Sequence, residues 1–208
     1  MKPKKIFIAT SRPIGEECIK WAKQNTPTGF EIIENLQDAD ILISVLYDRI
    51  LKRSEIQNKS CFNFHPGVLP EYKGVGINSW VIINNEIKTG ATLHVISEGV
   101  DAGDIIEIRE FMISNSDTAY SLFNKSNKLI HKMFKDWYHD LLNNNYNAVP
   151  QKKNVGVNYR SKDLQRAKNL TRYAKAFHFP GKEGAYFYND KSEKIYIEYS
   201  QGFNNETN

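Results

Sequence analysis

The sequence predicts an α/β fold built on an open, mostly parallel sheet, and three observations carry that prediction. Short runs rich in β-branched and aromatic residues alternate with segments of helical period. One run, Asp40 to Val45 (DILISV), is apolar almost throughout, as in a strand covered on both faces. A further short strand, Cys61 to Phe64, stops at His65-Pro66-Gly67, which leaves polar side chains at its carboxyl end.

The elements follow in order. Lys4 to Thr10 reads as a first strand, and Ser11, Arg12, Pro13 and Gly15 end it. A helix is expected from Ile14 to Gln24, with Ile14, Cys18, Trp21 and Ala22 near one face. Phe30 to Glu34 and Asp40 to Val45 are strands, then Cys61 to Phe64. A helix covers Ile77 to Asn85. Thr89 to Ile96 and Asp104 to Ile113 form a pair of strands joined by a loop with Gly99, Asp101 and Gly103. Ser116 or Asp117 can cap a long helix from Thr118 to about Leu142. A helix-prone basic stretch from Asp163 to Ala176, a Pro180-Gly181 turn, and strands at Ala185–Tyr188 and Lys194–Tyr199 complete the chain. The division is a core over 1–150 and a small extension, helix plus β-hairpin, over 151–208. The tail after Phe203 reads as disordered.

Composition narrows the function. Hydrophobic residues make up 40% and charged residues 25% of the 208, enough for an ordinary core. No apolar run approaches the roughly 20 residues of a membrane span, and the basic start with Ile6 to Ala9 is too short for a signal peptide. Cys18 and Cys61 have neither metal nor disulfide spacing, so no metal is expected and a reducing cytoplasm is the simplest home. Formal charge is +4, yet residues 151–175 hold eight basic side chains against Asp163 alone. That segment suits an anionic partner or a solvated helix. No RNA-recognition motif is visible, so no nucleic-acid partner is expected.

The chemistry centres on Asn63 and His65. Positions two apart on a strand face the same side, so these two can project together at the end where open α/β sheets bind ligands. Asp101 lies on a loop between Gly99 and Gly103, which let backbone approach a ligand closely. Asn, His and Asp are what acyl transfer to an amine requires. The Asn amide can donate to a developing oxyanion, the imidazole can assist it or carry protons, and the carboxylate can orient the imidazole. Taken singly, each residue also has an ordinary use in a backbone hydrogen bond or a turn.

The run Asn63-Phe64-His65-Pro66-Gly67-Val68-Leu69-Pro70-Glu71-Tyr72-Lys73-Gly74 resembles the signature of the 10-formyltetrahydrofolate-dependent formyltransferases. Thr89-Gly90-Ala91-Thr92-Leu93-His94 and Gly99-Val100-Asp101-Ala102-Gly103-Asp104-Ile105-Ile106 resemble its second half, in order and separation. The resemblance covers residues 41–110. It implies a Rossmann-like core, with Asn63, His65 and Asp101 as the catalytic triad and N10-formyltetrahydrofolate as co-substrate. Leu46, Tyr47, Arg49 and Ile50 fall on the loop that holds the pterin in that family. Lys73 and Gly74 match its substrate-side turn, where Lys73 meets a phosphate or solvent. His94 matches a recurring position with a supporting or structural role.

Family members differ by formyl acceptor. Only 62 residues precede Asn63 and 58 follow Pro150, which implies a shortened first half and too little chain for the carboxyl-terminal domain of the tRNA enzymes. Asn169 to Pro180 and Gly184 to Phe187 are similar to the segment after the core in sugar N-formyltransferases. The expected acceptor is therefore a nucleotide-linked amino-deoxysugar of the dTDP-4-amino-4,6-dideoxyhexose type, made for O-antigen or other surface polysaccharide. Tyr159 and Arg160 would then contact substrate, or else serve in the core or a homodimer interface. The alternatives are a formyltetrahydrofolate hydrolase and a non-catalytic binding module.

Overall fold

The computed structural model describes residues 2–152, 155–160, 170–188 and 194–197. Its centre is a six-stranded sheet of β1 (Lys4–Thr10), β2 (Phe30–Ile32), β3 (Ile41–Val45), β4 (Ser60–His65), β6 (Lys88–Val95) and β7 (Ile105–Met112), in the order β2-β1-β3-β4-β6-β7. The first four pair in parallel, and β4–β6 and β6–β7 are antiparallel. The sheet is thus mostly parallel, as the sequence predicts.

Alternation along the strands divides the two faces. Ile41, Ile43 and Val45 of β3, Phe62 and Phe64 of β4, and Ala91 and Leu93 of β6 join one large core. Two long helices cover that face, α1 (Pro13–Asn25) and α4 (Ala119–Leu142). α4 supplies Ile130, Met133, Phe134, Tyr138, Leu141 and Leu142, a helical spacing that lays one apolar stripe on the sheet. Burying a side chain such as Phe134 completely contributes roughly 1.5–3 kcal/mol relative to exposure. Leu42 and Cys61 point to the opposite face, where a smaller cluster packs with Tyr47, Leu51, Ile56 and Ile96. Among the described residues no long helix covers it: a 3-10 turn (Leu36–Asp38) and the short α2 (Arg53–Ile56) lie in the connections there. By the same alternation, Asn63, His65, Thr92 and His94 face this thinly covered side.

Two short strands were not expected from the sequence. β5 (Tyr72–Gly74) pairs in parallel with β8 (Val157–Tyr159), far along the chain. The cap of α4 also differs: Thr118 is the N-cap, accepting from Ser121 N–H, while Asp117 takes Ser114 N–H and Lys125. α3 (Ile77–Ile83) packs with α5 (Leu170–Ala176), where the Ser79 hydroxyl donates to the Ala176 carbonyl at 2.7 Å. A hairpin, β9 (Tyr186–Tyr188) with β10 (Lys194–Tyr196), follows. The part of the basic helix expected at 163–169 and the tail after Phe203 lie outside the described residues.

Candidate active site

The end of β4 builds the site. Register places Asn63 opposite His94, and His65 opposite Thr92, on β6. Asp101 enters from the β6–β7 loop with φ +47, a left-handed conformation that Asp tolerates better than most residues. Its Oδ2 accepts the Gly74 N–H at 2.8 Å and lies 3.5 Å from His65 Nδ1. Its Oδ1 accepts from Asn63 Nδ2 at 3.4 Å and lies 3.6 Å from His94 Nε2. The three residues singled out from sequence therefore meet, and His94 joins them.

Partners fix the tautomers. His65 Nε2 lies 2.7 Å from the Tyr72 carbonyl, which only accepts, so Nε2 carries a proton and donates. Nδ1 then faces the Asp101 carboxylate, where an arriving proton meets a negative charge. His94 Nδ1 donates to the Val95 carbonyl at 2.8 Å, which leaves Nε2 to accept from Asn63 Nδ2 at 3.1 Å. Asn63 is thus oriented with its N–H groups toward His94 and Asp101. The bond to Asp101 is the longer, and it is the one a developing oxyanion can capture.

Space is as constrained as charge. A Cβ on Gly67 would lie 2.8 Å from His65 Nε2 and 2.9 Å from the Tyr72 carbonyl, so glycine there keeps the imidazole seated. His65 is only 3% exposed. Burial pushes its pKa below the usual histidine value, against the pull of Asp101 and the Tyr72 carbonyl. For Asp101 burial pushes upward, but His65, His94 and the Gly74 N–H outweigh it and hold the carboxyl down at about 2. At neutral pH the arrangement is a carboxylate beside a neutral imidazole, poised to share a proton.

The loop expected to hold a pterin leaves β3 beside this cluster, since Ser44 pairs with Asn63 and Val45 with Phe64. Leu46 takes φ +53 and packs against the large core. Arg49 makes a two-pronged ion pair with Glu55, both contacts 2.9 Å, and bonds the Tyr47 hydroxyl at 3.1 Å. Its guanidinium therefore braces the loop. Ile50 is 78% exposed and offers an apolar surface beside it.

On the other flank, Gly74 has φ +90, and a Cβ there would sit 2.2 Å from the Tyr159 carbonyl; glycine permits both the turn and the close strand. Lys73 is half-buried and Arg160 exposed. Tyr159 stacks on Tyr72 at 5.0 Å, and its hydroxyl accepts from Asn84 at 2.9 Å, which fastens it in an aromatic group. A cavity of about 740 Å³ opens beside this pair, lined by Glu71, Glu86, Lys88 and Glu110 among others; Asn63, His65 and Asp101 do not line it. The sequence placed Gly74 at the substrate side but did not disclose its N–H bond to Asp101, and it disclosed neither the Tyr72 carbonyl nor Gln151, whose side chain binds the Asp101 loop. Among the described residues, no group of three His, Cys, Asp or Glu is placed to hold a metal ion.

The formyl transferase family model matches residues 9–137. A methionyl-tRNA formyltransferase of Alkaliphilus oremlandii is 36% identical over 121 residues, 57% of this chain and 39% of that protein. A GDP-perosamine N-formyltransferase of Brucella melitensis is 31% identical over 135 residues, 58% of this chain and 52% of that protein. The chain thus spans about half or less of the length of these curated relatives. The structure of an N-formyltransferase from Helicobacter canadensis, in complex with folinic acid and dTDP-3-aminofucose, matches with a TM-score of 0.74 at 25% identity, covering 85% of this chain and 81% of that one.

Proposed function

This chain belongs to the formyl transferase family, and on that premise we propose that it moves a formyl group from N10-formyltetrahydrofolate to the amine of a nucleotide-linked amino sugar. The observation that carries the reading is the meeting of Asn63, His65 and Asp101 at the carboxyl end of β4, with His94 and Gly74 completing their hydrogen bonds.

The chemistry needs no enzyme nucleophile. The neutral sugar amine attacks the formyl carbon, forming the new C–N bond. Asn63 turns an N–H from Asp101 onto the oxygen as it gains charge. The amine's proton passes to the His65–Asp101 pair, and a proton returns to N10 as the old C–N bond breaks. The loop at Leu46, Tyr47, Arg49 and Ile50 is assigned to the folate, with Ile50 as its apolar surface. Lys73, Gly74, Tyr159 and Arg160 are assigned to the nucleotide-sugar side, where cations suit a diphosphate.

The finer reading takes a dTDP-4-amino-4,6-dideoxyhexose as acceptor, for O-antigen or other surface polysaccharide. Supporting it are the sequence likeness of the 169–187 segment to sugar N-formyltransferases and the sugar relatives described above. We place the enzyme in the cytoplasm, divide it into a catalytic unit (1–150) and an extension (151–208), and take a homodimer as its assembly.

The test is a transfer assay with purified protein, N10-formyltetrahydrofolate, a panel of dTDP-, UDP- and GDP-linked 3-amino and 4-amino sugars, and initiator methionyl-tRNA. Mass spectrometry should show one sugar gaining a formyl group, with turnover about 10³-fold lower in His65→Ala. Formylation of the tRNA alone, or folate consumption with no acceptor modified, would replace the sugar reading with a tRNA enzyme or a hydrolase.

A further inference from the structure

Gln151 follows Pro150, and its side chain reaches back into the loop that carries Asp101. Its Nε2 donates to the carbonyl oxygens of Asp101, at 2.8 Å, and Gly103, at 2.7 Å. Both partners only accept, so the amide nitrogen must face them and the orientation of the group is settled. Its Oε1 is buried and finds no partner among the described residues. An apolar side chain of the same length would avoid that desolvation cost, so packing alone does not account for an amide here.

The loop needs such a hold. Gly99 and Asp101 both have positive φ, +103 and +47. A Cβ on Gly103 would lie 1.8 Å from the Val95 carbonyl, so the loop is pressed onto the end of β6. The carboxylate is held separately, by the N–H of Gly74 on β5, and β5 is braced by β8. Gln151 and β8 therefore secure Asp101 twice: its backbone through the Gln151 amide and its carboxylate through the β5–β8 pair.

We propose that Gln151 is a positioning residue for the reaction: by holding the carbonyls of Asp101 and Gly103 it sets the Asp101 carboxylate between His65, His94 and the Gly74 N–H, and so governs turnover. The inference rests on the formyl transfer proposed above.

Two variants of the full chain test it. Gln151→Met keeps the length and loses both donors. Its kcat should fall about 10- to 100-fold, with KM for both substrates within about twofold of wild type, because a displaced reacting group costs rate rather than affinity. Amide hydrogen exchange at residues 97–104 should quicken in the folded variant. Gln151→Glu presents an acceptor to two carbonyls at neutral pH but regains one O–H donor when protonated, so its kcat relative to wild type should rise as pH falls. A packing role would leave that ratio flat. Wild-type transfer with a Gln151→Met kcat within twofold, or a flat ratio for Gln151→Glu, overturns the positioning role alone. A wild type that transfers no formyl group overturns the reaction; unchanged exchange at 97–104 in Gln151→Met would then overturn the hold on the loop as well.

Discussion

The site draws on two kinds of scaffold, and they are stabilised differently. Asn63, His65 and His94 stand on strands, where ladder register alone puts Asn63 opposite His94 and both on the face turned away from α1 and α4. Asp101 stands on a loop, with a left-handed backbone, and is held by Gly74 N–H at its carboxylate and by Gln151 at its carbonyl. A strand residue inherits its precision from neighbours that are in place for folding. A loop residue obtains the same precision from contacts that serve it in particular.

Asp101, the loop-borne residue, is where a substitution should cost most activity. Asp101→Asn keeps the shape of the side chain and an acceptor for Gly74, but removes the charge facing His65. The proton lost by the attacking amine then has no carboxylate to stabilise it, and kcat should fall about 10³-fold while the fold is retained. Steady-state kinetics and circular dichroism would check both. A loss under tenfold would mean that the strand-borne residues suffice and that Asp101 only shapes its loop.

Gly67→Ala probes the strand side. The added Cβ wedges into the contact between His65 and the Tyr72 carbonyl, and its third neighbour, Ile77 Cγ2 at 3.1 Å, belongs to a packed helix. Displacing the ring should lower kcat roughly 10- to 100-fold, and the overpacking should cost about 1–3 kcal/mol of stability. Urea unfolding and single-turnover kinetics separate the two. Full activity in this variant would show that His65 works without its bond to Tyr72.

This division also explains what the sequence disclosed. The strands β1, β3 and β4 and the helix α4 announce themselves by apolar runs and helical spacing, because burial must be written in side chains. Asn63 and His65 were legible as neighbours since a strand fixes the direction of positions two apart. β5 and β8 were not, because three-residue strands hold too few residues for a period and their pairing joins Tyr72 to Val157 across the chain. The partners that lock the site were hidden for a related reason. The Tyr72 carbonyl and Gly74 N–H are backbone atoms that no residue letter signals, and a lone Gln151 after a proline carries no pattern. His94 was visible in its motif, but its bond to Asn63 appears only once the register of β4 on β6 is known.

The smallest effect concerns pH and sets the buried strand histidine beside one on a helix. Burial lowers the pKa of His65, and burial with Lys135 lowers that of His131 on α4. For a group whose folded pKa lies below its unfolded value, the unfolded chain takes up the proton first. The stabilisation is therefore complete above the ordinary histidine value of 6.5 and is lost as pH falls below it. Asp101, held down at about 2 from 3.8, keeps its contribution above about pH 4 and loses it only as pH falls toward 2. Unfolding free energy should thus be flat at pH 7–8 and decline as pH falls below 6.5, by at most about 1.4 kcal/mol per pH unit for each histidine. Urea titrations of wild type, His65→Gln and His131→Gln would apportion the decline, with a shallower slope expected in each variant. An unchanged slope in His65→Gln would mean that the site holds His65 charged in the folded protein, and the proton would then have to be taken up by Asp101 alone.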